Sequence, residues 1–100
     1  MVVRMRIYNT SERKIDSDKV FYELVKPVHE KYGAKFLGRY IDAKGRYVVL
    51  WAYPSEHALN EIQKLVAEDE DTIKHAEIRK KSGLHGVDFE EFILESTEPS

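Results

Sequence analysis

The stretch Arg46-Tyr47-Val48-Val49-Leu50-Trp51-Ala52-Tyr53 constrains this chain more than any other segment. Turn-forming residues, Asp42-Ala43-Lys44-Gly45, precede it, and Pro54-Ser55 ends it. A short run of β-branched and aromatic residues between such breakers reads as a strand. Alternation then puts Val48, Leu50 and Ala52 on one side and Tyr47, Val49, Trp51 and Tyr53 on the other. Neither side suits water, so the strand is expected to be covered on both faces.

The neighbouring segments give the sheet its other members. Residues 2–9 alternate, with Val3, Met5 and Ile7 opposite Arg4, Arg6 and Tyr8, as a strand does. Asp16 or Ser17 is an N-cap for a helix whose stripe is Val20, Phe21, Leu24, Val25, Val28 and Tyr32, closed by Gly33. Pro27 breaks that stripe and predicts a bend. A strand over 34–42 pairs with 46–53 through the Asp42–Gly45 turn. Ser55 caps the next helix, whose stripe is Ala58, Leu59, Ile62, Leu65 and Val66. The acidic run Glu68-Asp69-Glu70-Asp71 interrupts the period, and the basic Arg79-Lys80-Lys81 suits the end of a separate helix. A last strand covers 87–95.

Strand, helix, two strands, helices and strand form an α+β, ferredoxin-like βαββαβ domain: an antiparallel sheet with helices on one face. With 100 residues there is room for one core, so residues 1–100 are read as a single domain. The last strand, like the third, is apolar on both sides, with Val87, Phe89 and Ile93 against Phe92 and Leu94. Burying each large side chain is worth roughly 1.5–3 kcal/mol. The helix-free face is therefore expected to meet a second copy of the chain, making a homodimer.

Several function classes recede on composition. A formal charge of −2 gives no basic footprint for nucleic acid or anionic membrane. No run of 18 apolar residues marks a membrane span, and no secretory leader is expected before the first strand. The absence of cysteine excludes disulfides and thiolate chemistry and fits a cytoplasmic protein. His29, His57, His75 and His85 make no i, i+3 or i, i+4 pair, so no helical metal site is expected. There is no Walker A loop, dinucleotide fingerprint or nucleophile elbow.

What remains is a short set of candidate residues. Arg4 and Arg6 share a face with Tyr8 on a strand that this topology makes central. Buried charges need partners. Either Asp88 and Glu90 on the last strand pair with them, or Arg4, Arg6 and Tyr8, with Arg39 or Tyr40, hold an anion such as a carboxylate. His85, in a loop between Gly83 and Gly86, is the histidine best placed by sequence for proton transfer, or a solvated surface residue. A small organic molecule in a cavity between helices and sheet would meet Tyr8, Asn9, Tyr40, Trp51, Tyr53 and His85.

Gly33-Ala34-Lys35-Phe36-Leu37-Gly38, Val48-Val49-Leu50-Trp51-Ala52-Tyr53-Pro54-Ser55 and the opening Arg6-Ile7-Tyr8 resemble the NIPSNAP family over nearly the whole chain. That resemblance implies the dimeric α+β barrel fold, shared with antibiotic-biosynthesis and haem-degrading monooxygenases. Where the family pattern often carries Asp-Pro-Glu-Trp, this chain has Glu70-Asp71-Thr72-Ile73. The family has no agreed catalytic residues to carry over. The haem-degrading branch uses an Asn, a Trp and a His that would correspond to Asn9, to Trp51 or Tyr53, and to His75, with Tyr53 at the distance from the strand end where the Trp is expected. The plainer assignment is a turn residue, a core residue and an exposed helix residue, so no cofactor is expected. The functional alternatives are a small-molecule binder or cofactor-free enzyme, a monooxygenase, and a non-catalytic stress-related or interaction dimer.

Overall fold

The computed structural model of the chain describes residues 1–8, 19, 21–81 and 89–97. The strands are β1 (Val2–Tyr8), β2 (Lys35–Ile41), β3 (Tyr47–Tyr53) and β4 (Phe89–Glu95). They form one antiparallel sheet in the order β2-β3-β1-β4. The helices are α1 (Lys26–Lys31), α2 (Glu56–Glu68) and α3 (Glu70–Lys81). This is the α+β, ferredoxin-like arrangement expected from the sequence, with β1 between β3 and β4. The helix start at Asp16 or Ser17 and the loop with His85 lie outside the described residues.

Register fixes the two faces. Val2, Arg4, Arg6 and Tyr8 stand opposite Tyr53, Trp51, Val49 and Tyr47 of β3, and opposite Glu95, Ile93, Glu91 and Phe89 of β4. On the reverse face Val3, Met5 and Ile7 stand opposite Ala52, Leu50 and Val48, and opposite Leu94, Phe92 and Glu90. An irregularity between Phe36 and Gly38 resets β2, so that Phe36 joins Trp51 on the first face while Tyr40 joins Val48 on the second. The helices pack over the first face, where Phe21, Val28, Ala34, Val49, Trp51, Tyr53, Leu59, Ile62 and Val66 form the core.

Pro27 is accommodated by a change of helix type. Phe21–Val25 is π-helical, and α1 begins at Lys26 with the proline in its first turn. A missing N–H is harmless there, because first-turn N–H groups have no partner within the helix. Gly33, at φ +103, ends α1 in the left-handed region, with its own N–H bonded to Glu30 and that of Ala34 to His29.

The acidic run does divide the second helical stretch, and Asp69 is the residue that divides it. Its extended backbone ends α2, while its Oδ1 accepts the Asp71 N–H at 2.9 Å and its carbonyl accepts those of Thr72 and Ile73. Its Oδ2 accepts the Tyr32 hydroxyl at 2.6 Å and Lys31 Nζ at 3.1 Å. These donors hold the carboxyl well below its ordinary value, at about 2.

Candidate functional site

A cation sits in the middle of this sheet because β1 is flanked on both sides. Arg4 points to the helix-covered face between Trp51 and Ile93, and only 2% of it is exposed. Its nearest acid among the described residues is Glu91, with Nη1 and Oε1 3.7 Å apart, beyond hydrogen-bond reach. The same Oε1 accepts Arg6 Nε at 2.7 Å. One carboxylate thus serves two guanidiniums, and it bonds only the more exposed one. Burial, then the charge of Arg6, pushes Arg4 below the usual arginine value. Burial opposes the charge of Arg6 as well, but the bond from Glu91 and the proximity of Tyr8 outweigh it and leave Arg6 raised.

The register corrects the expected pairing. Glu90 lies on the reverse face, where it meets Arg46 at 3.4 Å, and Asp88 lies outside the described residues. The partner is Glu91, one position along, because only β4 residues in phase with Phe89 and Ile93 share a face with Arg4 and Arg6.

Around Arg4 several buried polar atoms lack partners. Arg4 Nε and Nη1, Tyr53 Oη and Gln63 Nε2 make no hydrogen bond. The Arg4 guanidinium carbon lies 6.0 Å from the centroid of the Tyr53 ring, and the Gln63 amide, from α2, approaches the Tyr53 hydroxyl closely enough to favour its ionised form but not with hydrogen-bond geometry. Tyr53 is 1% exposed, and burial raises its phenol above the ordinary value. Each unsatisfied buried polar group costs about 1–3 kcal/mol, more when charged. Three such side chains from β1, β3 and α2 converge on one place.

His29 completes this neighbourhood. Its ring stacks on Trp51 at 4.8 Å and 18°, with Nδ1 2.8 Å from the Val25 carbonyl. Burial first, then the charges of Arg4 and Arg6, lower its pKa against the pull of that carbonyl. Next to Arg4 on the same sheet face, Val2 and Ile93 form part of an open cleft of about 460 Å³ with Met1, Pro54, Ser55, Glu56 and Glu95.

Some of the residues singled out from sequence come together here. Arg4, Arg6, Tyr8, Trp51 and Tyr53 all face the helices, and Arg39 does so too, its guanidinium carbon 4.0 Å from the Tyr47 ring centroid. Tyr40 does not belong with them: the β2 irregularity turns it to the reverse face, over Gly38, where its ring occupies the space a Cβ would need. Trp51 is 3% exposed, packed by Phe21, Phe36 and His29, and α3, which carries His75, packs on α2 and the π-helical segment. Asn9 and His85 lie outside the described residues. Among the described residues no three His, Asp or Glu side chains gather as a metal site would need.

Glu91, Gln63 and His29 were not singled out from sequence, although each carried a signal. His29 is four residues from Val25 and three from Tyr32, and Gln63 four from Leu59 and three from Val66, so both polar residues interrupt an apolar stripe. Glu91 sits between Phe89 and Ile93 in strand alternation.

No helix among the described residues is long and apolar enough to cross a membrane. No family model matches the sequence, and no curated protein matches it significantly. Solved structures do. An uncharacterised NIPSNAP domain protein from Burkholderia xenovorans superposes with TM-score 0.76 at 18% identity, covering 100% of both chains. A NIPSNAP family protein from Agrobacterium tumefaciens gives 0.76 at 20% identity, over 97% of this chain and 93% of the other. A candidate antibiotic-biosynthesis monooxygenase from Deinococcus radiodurans gives 0.64 at 12% identity, over 100% and 96%. The chain is NIPSNAP-like in fold, and it shares that architecture with proteins of the antibiotic-biosynthesis monooxygenase kind.

Proposed function

We propose that the chain is a NIPSNAP-type protein that binds, and acts on, a small organic molecule carrying an anionic oxygen, with Arg4 as the anchor. The supporting observation is the Arg4 guanidinium: buried, with Nε and Nη1 unbonded and its carbon 6.0 Å from the ring centroid of Tyr53, whose hydroxyl is also unbonded. An oxyanion there would accept from Arg4 and Tyr53 together, and a charge-assisted bond in so dry a place is strong. Arg6, already bonded to Glu91, supports the positive field without contacting the ligand directly. Benzoate is a suitable first probe. Trp51 is the sole tryptophan and lies beside Arg4, so its fluorescence should report a saturable change. Arg4→Met should abolish that change while the fold persists. Saturable binding that survives in Arg4→Met would sink the reading.

The working unit in this proposal is a homodimer in the cytoplasm. The reverse face of the sheet carries Val3, Met5, Ile7, Val48, Leu50 and Ala52 in its centre, with Phe92 42% and Leu94 45% exposed on β4. Among the described residues the charges in phase with this face are Lys35 and Glu90, on edge strands, and Arg46, which precedes β3 and meets Glu90 at 3.4 Å. A second copy meeting it face to face would bury the apolar centre and leave those charges at the rim, as stable interfaces do.

A further inference from the structure

His29 lies beside the Arg4 site but has no part in the anchoring just described. It projects from α1 onto Trp51, and Trp51 is the register partner of Arg4, so imidazole and guanidinium are both neighbours of Trp51 over the same face of the sheet, close enough for the charge of Arg4 to act on the ring. The Val25 carbonyl can only accept, so Nδ1 carries the proton of the neutral ring and Nε2 keeps the lone pair. Among the described residues Nε2 has no hydrogen-bond partner.

We infer that His29 is the proton acceptor of the Arg4 site, and that the ligand is a weak oxygen acid, a phenol or an enol, which enters neutral and is ionised in place. This rests on Arg4 being the anchor. In the step, the ligand O–H bond breaks, an Nε2–H bond forms, and the electron pair stays on the ligand oxygen beside Arg4. The product is an ion pair of phenolate or enolate with imidazolium, needing no other reactant.

The surroundings favour that coupling. Without ligand, burial and the charges of Arg4 and Arg6 keep His29 neutral, opposed by the Val25 carbonyl. Glu91 offsets part of that field from β4, Tyr53 is neutral, and Lys26 and Glu30 on α1 neutralise each other at 2.9 Å. An added oxyanion removes the reason for neutrality, and the face of Trp51 stabilises the imidazolium. Proton transfer and anion binding therefore occur together.

4-Nitrophenol is the test, because its phenolate is coloured and its phenol is not. It is added at a pH where the free compound is protonated, and binding is followed separately by calorimetry. The expected result is binding, appearance of the phenolate band, and movement of the His29 ring C–H signals to imidazolium positions. His29→Asn, whose amide can still donate to Val25, should bind the compound without the band. Binding with the band unchanged in His29→Asn, or with His29 signals unmoved in the native chain, overturns His29 as acceptor and leaves the Arg4 anchor standing. Failure of the native chain to bind both benzoate and 4-nitrophenol overturns the anchor, and this inference with it.

Discussion

Tyr32 donates its hydroxyl to the Asp69 carboxylate at 2.6 Å, and that bond ties the end of α1 to the junction of α2 and α3. The same carboxylate caps α3, and the extended backbone of Asp69 ends α2, so one residue joins all three helices. Asp69→Ala should lower the urea midpoint more than Tyr32→Phe does. Tyr32→Phe takes one donor from the carboxylate, whereas Asp69→Ala takes the cap as well. Equal midpoints for the two variants would show that the cap contributes nothing.

Acid should destabilise the fold in two stages. His29 has its folded pKa below the ordinary 6.5, so its contribution is present above 6.5 and is lost as pH falls through the lowered folded value. Asp69 has a folded pKa of about 2 against 3.8, so its contribution is complete above 3.8 and is lost as pH falls toward 2. Urea midpoints measured across this range should fall twice. His29→Asn should flatten the upper fall and leave the lower one, and an unchanged upper fall would contradict the assignment.

Arg4→Met should raise stability by roughly 1–2 kcal/mol, because it replaces a buried charge, held to a shared carboxylate only at 3.7 Å, with an apolar chain of similar length. Chemical denaturation measures this directly. A loss of stability instead would mean that the 3.7 Å pairing with Glu91 outweighs the desolvation of Arg4.

Glu91→Gln should act in the opposite sense. Arg6 would lose the carboxylate bond at 2.7 Å and Arg4 its nearest acid. Because Glu91 is partly exposed, the expected loss is about 1 kcal/mol rather than the larger cost of a fully buried pair. Anion affinity at Arg4 should rise at the same time, since the competing carboxylate is gone. Benzoate titration of the variant checks this, and weaker binding would contradict the shared-carboxylate arrangement.

Phe92→Glu should convert a dimer of two 11.7 kDa chains into monomers. The side chain stands on the helix-free face opposite Met5, on the edge strand β4, where a second copy covering that face would desolvate an unpaired acid. Native mass spectrometry reads the change in one run. A native chain that is already monomeric would remove the proposed partner.

The sequence by itself determined the architecture, because strand and helix periods are local properties. The alternation of Val3, Met5 and Ile7 with Arg4, Arg6 and Tyr8, and the two-sided run from Tyr47 to Tyr53, carry over unchanged into the register of the sheet. The break at Asp69 was equally legible, because an acidic run and a basic helix end are both written along the chain. Tertiary structure alone decided which charges meet. Whether Arg6 finds Glu90 or Glu91 depends on the phase of β4 against β1, and one residue of slip exchanges the faces. The β2 irregularity moved Tyr40 away from Trp51 for the same reason. The convergence of Arg4, Tyr53, Gln63 and His29 needed the packing of helices on the sheet, since no spacing along the chain relates residues drawn from β1, β3, α2 and α1.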